Sequence, residues 1–235
     1  MAKKRKLAAT GACAAAYAAA CLALSRLTGD PLPAGLAWNL LLALLPGPLL
    51  SAALARRGVL QVGLAALWLL FLPNTFYLLT DLIHVPPQME WLGAGERGAA
   101  VLHSEKASQW ALVLLIGIGA FWGVWLGLES LSRAFDFARS RAGRLPAWAA
   151  GGALALLCGT GIYIGRFLRL NSWDALHPLR LLGRVAASLD GFACKIILLL
   201  AASILLLFCF YRARRPGVEA GAGEEDGGGT GENRP

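Results

Sequence analysis

The chain has 235 residues, of which 57% are hydrophobic and 15% are charged, and its net charge is +8. Soluble domains carry about 25% charged residues, so this composition excludes an ordinary water-soluble enzyme or binding domain. The basic surplus does not indicate nucleic-acid binding, because the lysines and arginines cluster beside apolar segments and no RNA- or DNA-binding motif occurs. We therefore expect membrane lipids, and no nucleic acid, as partners.

Six apolar segments have the length that a helix needs to cross a bilayer core of about 30 Å. Because the connections between them are short, we predict one all-α domain over residues 1–215, a polytopic integral membrane protein with six transmembrane helices. Residues 216–235 are rich in Gly, Glu and Asp and are predicted to form a disordered cytoplasmic tail. The six segments cover approximately residues 7–25, 34–55, 59–82, 110–131, 147–168 and 192–211.

The basic residues predict the orientation of the chain. They cluster before the first span and after the second, fourth and sixth, at residues 3–6, 56–57, 133–144 and 212–215. The positive-inside rule then places both termini in the cytoplasm, together with most of the 22 lysines and arginines. We expect the protein to lie in the inner (cytoplasmic) membrane of the cell.

The first span resembles a signal peptide, because basic residues precede an Ala-rich run. Ala18-Ala19-Ala20-Cys21 also weakly resembles a lipoprotein cleavage site, but Leu is absent at the third position before the cysteine. Cleavage would leave an odd number of spans. We therefore expect a retained helix.

Span two contains two prolines that interrupt its helical pattern. Pro46-Gly47-Pro48 should break or kink span two, either for packing or as part of a transport pathway.

Residues 176–190 place leucines on one helical face and Arg180 and Arg184 on another. This pattern predicts a helix that lies in the outer membrane interface.

Two polar stripes lie at the ends of spans three and five. At about 100° per residue, spacings of three and four put side chains on one face of a helix. The two spans run in the same direction, so the stripes would form a polar cup at the outer surface if they face each other. The stripe on span three consists of Asn74, Tyr77, Asp81 and His84. The stripe on span five consists of Tyr163, Arg166, Leu170, Asp174 and His177, with Arg169 beside it.

Three interpretations of these stripes stay open. In the first, Asp81 pairs with Arg166 or Arg169 and joins two helices, so that no charge stays unpaired in the membrane. In the second, the arginines bind a phosphate or a lipid headgroup, and Asp81 or His84 could serve as a base if the protein is an enzyme. In the third, two Asp-x-x-His pairs supply ligands to a metal such as zinc or manganese. The candidate ligands are Asp81, His84, Asp174 and His177.

Three motifs, taken in order, carry a resemblance to a known family. They are Trp38-Asn39-Leu40, then Pro73-Asn74 with Tyr77 and Thr80-Asp81-Leu82-Ile83-His84, then Gly165-Arg166-Phe167-Leu168-Arg169 with Asn171-Ser172-Trp173-Asp174. Over approximately residues 30–212 the chain resembles the uncharacterised bacterial membrane proteins grouped as domain of unknown function 1361. The resemblance implies a multi-pass membrane protein and no particular activity. His177 is not part of this pattern.

We predict a membrane protein whose outward-facing polar cup binds an anionic small molecule or a lipid headgroup. One alternative is a membrane-embedded enzyme that acts on a phosphate-bearing lipid, and another is a small transporter that uses the broken span two. The sequence identifies no catalytic residue and no cofactor. The candidate site residues are Asn39, Asn74, Tyr77, Asp81, His84, Arg166, Arg169, Asn171, Ser172 and Asp174.

Overall fold

The computed structural model describes residues 2–85, 106–170, 174 and 177–214. Within these ranges all regular elements are helical, and six helical segments are long and apolar enough to cross a membrane. The predicted all-α fold with six spans is therefore confirmed. Residues 86–105 and the predicted tail at 216–235 lie outside the described residues.

Nine α-helices and one 3-10 helix make up the described part of the chain. Span one is α1, span two is α2 with α3, and span three is α4, α5 and the 3-10 helix. Spans four, five and six are α6, α7 and α9. The helices are α1 (Ala2–Thr28), α2 (Leu32–Ala43), α3 (Pro46–Leu54), α4 (Val59–Phe71), α5 (Pro73–Tyr77), the 3-10 helix Leu78–His84, α6 (Ala107–Ala142), α7 (Arg144–Arg166), α8 (Pro178–Ser188) and α9 (Gly191–Ala213).

Span four continues well beyond its predicted end at residue 131. Its 36 residues would be about 54 Å long at 1.5 Å per residue, which exceeds the bilayer core of about 30 Å. The helix continues because Leu131 and Phe135 keep a buried stripe through the basic segment. It ends at Gly143, whose φ of 90° is open to glycine and strained for other residues.

Span two is broken at Pro46, as the sequence predicts. α2 ends at Ala43 and α3 begins at Pro46, because proline lacks the N–H group that would continue the helix. The guanidinium of Arg133 in α6 donates to the Gly47 carbonyl over 3.4 Å and to the Ser51 hydroxyl over 2.9 Å. Arg133 therefore ties the broken span to α6.

Span three is broken at Pro73, and its last part is not an α-helix. α4 ends at Phe71, whose carbonyl accepts a hydrogen bond of 3.2 Å from the Asn74 side chain. After α5 the chain forms the 3-10 helix Leu78–His84, which has three residues per turn. Tyr77, Asp81 and His84 still share a face, because all three contact Arg166, but the predicted α-helical geometry is wrong beyond Tyr77.

Glycines on the neighbouring helices make room for the broken part of span three. A Cβ atom at Gly127 of α6 would lie 2.5 Å from the Thr75 hydroxyl oxygen, and one at Gly123 would clash with the Thr75 carbonyl. On the opposite side, a Cβ atom at Gly161 of α7 would lie 2.6 Å from Pro73. Small residues allow helices to approach closely in membranes, so this segment fits between α6 and α7.

Span one is packed into the bundle. Cys21, which ends the segment that resembles a cleavage site, is fully buried in an apolar core with Leu36 and Ile116. The Tyr17 hydroxyl donates to the Leu115 carbonyl over 3.0 Å. A second core lies mainly among spans three to six and includes Leu72, Phe76, Leu131 and Phe208.

The predicted interfacial helix is present as α8. Leu179 and Leu182 are exposed on one of its faces, and Arg180 and Arg184 are exposed on the other. Exposed leucines opposite arginines are typical of a helix at a membrane surface. The helix itself is confirmed, and its position in the interface stays a prediction.

Candidate ligand-binding site

An ion pair joins the ends of spans three and five. The Arg166 Nη2 atom lies 2.5 Å from Asp81 Oδ1, and the two side chains are 17% and 4% exposed. A buried carboxylate needs such a partner, because an unpaired charge near hydrocarbon is costly. The expected meeting of Asp81 with an arginine of span five is confirmed, and the arginine is Arg166.

The guanidinium of Arg166 is engaged at all three of its nitrogen atoms. It donates to the Thr80 hydroxyl over 2.7 and 3.1 Å and to His84 Nε2 over 3.3 Å. Arginine only donates hydrogen bonds, so a hydrogen bond in this contact uses Nε2 of His84 as the acceptor. The guanidinium also lies 4.3 Å from the centroid of the Tyr77 ring, a cation–π contact. Four of its five N–H donors are therefore used within the protein, and the second N–H of Nη1 has no partner among the described residues.

Asp81 also connects span two to this pair. Its second carboxylate oxygen accepts a hydrogen bond of 3.3 Å from the Asn39 amide of α2. Three spans therefore meet at one buried carboxylate. Interhelical polar contacts of this kind contribute about 1–2 kcal/mol in model membrane peptides and fix the relative orientation of the helices.

The 3-10 helix explains why all the side chains that accept hydrogen bonds from Arg166 come from one short segment. Its tighter turn places Asp81 and His84 one turn apart on the same face. Thr80 donates its hydroxyl proton to the Tyr77 carbonyl over 2.6 Å, which leaves the oxygen free to accept from Arg166. Sequence reasoning missed Thr80, although its position directly before the buried aspartate was a usable signal.

Arg169 has different surroundings from Arg166. It lies beyond the end of α7, is exposed, and has a φ of 53°, in the left-handed region that non-glycine residues rarely adopt. Among the described residues, none forms a hydrogen bond or an ion pair with its side chain. Within the described part of the chain, the Arg169 guanidinium is therefore unpaired, and it lies at the same end of the bundle as the ion pair.

Arg169 lines a cavity of about 1010 Å³ between spans two, three and five. Asn39 and Tyr77 also line its polar end, whereas Asn74 and Thr160 lie deeper, near Gly161 of α7. Most of the remaining lining is apolar and includes Trp38, Leu42, Leu67, Leu157, Ile164 and Leu181. The cavity thus has one polar end and an apolar body.

The described cup residues belong to the ion-pair cluster, to the cavity lining or to both. Asp81, His84 and Arg166 form the ion-pair cluster and are not part of the cavity lining. Asn39 and Tyr77 contact both the cluster and the cavity. Asn74 and Arg169 line the cavity, while Asn171 and Ser172 lie outside the described residues.

A comparison with family models matches residues 38–209 to a family described as a protein of unknown function, DUF1361. That range covers well over half of the 235 residues. The chain belongs to the DUF1361 family. No curated protein and no solved structure matches it. All the candidate site residues of this DUF1361 protein lie within the matched range.

The metal hypothesis gains no support from the described part of this DUF1361 protein. Within it, no three His, Cys, Asp or Glu side chains lie close enough together to hold a metal ion. The Arg166 guanidinium contacts both Asp81 and His84, so a positively charged side chain occupies the place that a metal ion would take between them. Asp174 is half-buried and His177 is exposed at the start of α8.

Proposed function

We propose that this integral membrane protein binds an anionic small molecule or a lipid headgroup at the polar end of the cavity. The observation that carries the proposal is the guanidinium of Arg169, which has no partner among the described residues and lies at the edge of a cavity of about 1010 Å³. Ligand pockets commonly measure about 300–1,000 Å³ and combine apolar walls with a few polar groups. A guanidinium binds phosphate or carboxylate bidentately.

The backbone of Arg169 supports the same proposal. A residue in a sparsely populated conformation costs about 1–3 kcal/mol and often lies at a functional site. The turn is held by a backbone hydrogen bond of 3.3 Å from the Leu170 N–H to the Ile164 carbonyl, as is common where a helix ends. It places the Arg169 guanidinium at the edge of the cavity.

The Asp81–Arg166 pair has a positioning role in this proposal. It holds span three against span five and, through Asn39, against span two. These are the spans that enclose the cavity. Because most donors of Arg166 are already used and neither Arg166 nor Asp81 lines the cavity, we expect the pair to shape the site without binding the ligand.

We infer an inner-membrane location with both termini in the cytoplasm, so that the polar end of the cavity faces outwards. The clustering of arginines at the opposite ends of spans two, four and six supports this orientation. The same placement of charge gives no reason to expect a nucleic-acid partner.

No observation favours the enzymatic or transport alternatives. Asp81 is buried, its oxygens are bound by Arg166 and Asn39, and it does not line the cavity, so it is poorly placed to act as a base on a bound ligand. The cavity lining does not include Pro46, and Arg133 ties the broken part of span two to α6. Neither feature suggests a path across the membrane.

The test is thermal unfolding of the full chain in phosphatidylcholine nanodiscs, with phosphatidic acid in the bilayer or glycerol phosphate in solution. A ligand that binds only the folded state raises Tm. We expect anion-dependent protection in the wild type and its loss in Arg169→Asn, because asparagine tolerates the left-handed backbone and lacks the charge. Arg26→Gln removes one exposed arginine at the same end of the bundle and should keep the protection. Equal protection of Arg169→Asn and wild type would contradict the proposal.

A further inference from the structure

We infer that the occupant of the cavity is a phosphate-bearing lipid whose acyl chain lies in the apolar body while its phosphate binds Arg169. This inference rests on the proposed function and identifies the class of ligand. It follows from the distribution of polarity, the depth of the cavity and its exposure to the surrounding bilayer.

The only charged side chain in the described lining lies at one end of the cavity. Arg169 and Asn39 lie there, at the level where α7 ends, which is the level expected for lipid phosphates. Asn74 and Thr160 lie deeper, and their side chains donate to the backbone carbonyls of Phe71 and Leu156. Leu67 and Leu157 line the opposite part, well inside spans three and five. A small water-soluble anion would use only the polar end and leave a large apolar volume without a matching ligand surface.

The depth of the apolar body matches one leaflet of a bilayer. The lining of α7 runs from Gly165 down to Leu157. These eight steps correspond to about 12 Å at 1.5 Å per residue. One leaflet contributes about 15 Å, half of a hydrocarbon core of about 30 Å. An acyl chain attached to a phosphate at Arg169 would therefore lie alongside this wall.

The cavity is also accessible from the side. Three of its lining residues, Trp38, Leu67 and Leu157, are 51%, 45% and 40% exposed. On membrane-spanning helices, exposed apolar side chains face lipid. A lipid could therefore enter laterally without leaving the bilayer, and its phosphate would be the part that the protein selects.

A blocking variant separates a lipid ligand from a free anion. Leu157→Trp should fill the apolar body while leaving Arg169 in place. Leu156→Trp is the matched control, because Leu156 is 44% exposed on the same helix and does not line the cavity. Leu67→Trp, with Leu60→Trp as its control, repeats the comparison on span three in case one variant folds poorly.

The readouts are Tm and the amount of phosphatidic acid retained on the purified full chain by native mass spectrometry. Dioleoyl phosphatidic acid in phosphatidylcholine nanodiscs should raise Tm and be retained by the wild type and Leu156→Trp. Leu157→Trp should lose both effects and keep any smaller shift given by glycerol phosphate. Dioleoylglycerol, which lacks the phosphate, should give no shift.

Two other results have separate meanings. If glycerol phosphate protects as well as phosphatidic acid, and Leu157→Trp changes neither effect, the site takes a free anion and the lipid inference is wrong. If Arg169→Asn leaves the protection by both anions unchanged, the proposed function itself is wrong.

Discussion

Arg166 and Arg169 lie three residues apart, but their guanidinium groups have opposite surroundings. Arg166 is largely buried and donates to Asp81, Thr80 and His84. Arg169 is exposed, lines the cavity and has no ion-pair or hydrogen-bond partner within the described residues. We therefore expect substitutions at Arg166 to affect stability and those at Arg169 to affect binding.

Removal of the charge of Asp81 should destabilise the fold. Asp81→Asn leaves the Arg166 guanidinium without its counter-charge, a change that costs about 3–5 kcal/mol in buried pairs of soluble proteins. Membrane contacts are weaker, so we expect a loss nearer about 2 kcal/mol, measured by detergent-induced unfolding. The double variant Asp81→Asn with Arg166→Gln should recover part of this loss.

The Arg212–Asp136 pair provides the control for that experiment. Its atoms are also 2.5 Å apart, but the Asp136 side chain is 38% exposed. A partly exposed pair contributes at most about 1 kcal/mol. Asp136→Asn should therefore be milder than Asp81→Asn, and equal losses from the two substitutions would contradict a structural role of the buried pair.

The broken span three depends on the glycines of α6. Gly123→Ala should destabilise the protein, because its methyl group would clash with the Thr75 carbonyl and with Leu78. Gly117→Ala is the matched control on the same helix, since a Cβ atom there meets nothing within 4 Å. Alanine is favoured over glycine in helices by about 1 kcal/mol, so the control should be neutral or stabilising.

The two alanine variants are compared by Tm in the same nanodiscs. A loss at Gly117 as large as that at Gly123 would show that close packing against span three is not the cause. A loss of Tm in Gly123→Ala alone would support the close packing of α6 against span three, the span that carries Thr80, Asp81 and His84.

The sequence predicted the spans, the break at Pro46 and the pairing of Asp81. These predictions succeeded because each rests on a strong local effect. Long apolar runs favour a membrane crossing, proline interrupts a helix, and a charge near hydrocarbon needs a partner. The 3-10 helix was not predictable from spacing, because spacing carries no information on tertiary packing such as the close contact of Thr75, Phe76 and Leu78 with Gly123 and Gly127. The left-handed turn at Arg169 also carries no local signal, since no glycine or asparagine stands there.

At the scale of the whole molecule, the orientation can be tested with single cysteines. Gly183→Cys lies at an exposed position of α8, between its leucine and arginine faces, and Arg57→Cys lies in the short connection between α3 and α4. If both termini are cytoplasmic, a membrane-impermeant maleimide should label Gly183→Cys in intact cells and Arg57→Cys only after permeabilisation. The unmodified chain reports any labelling of its five native cysteines. The reverse labelling pattern would contradict this orientation and indicate the opposite one.

The most direct test of the different roles of the two arginines is an experimental structure of the full chain in nanodiscs that contain phosphatidic acid. We expect phosphate density within hydrogen-bonding distance of Arg169, acyl-chain density beside Leu157, and an intact Asp81–Arg166 pair. Phosphate density on Arg166 with a broken pair, or an empty cavity at saturating lipid, would contradict these roles.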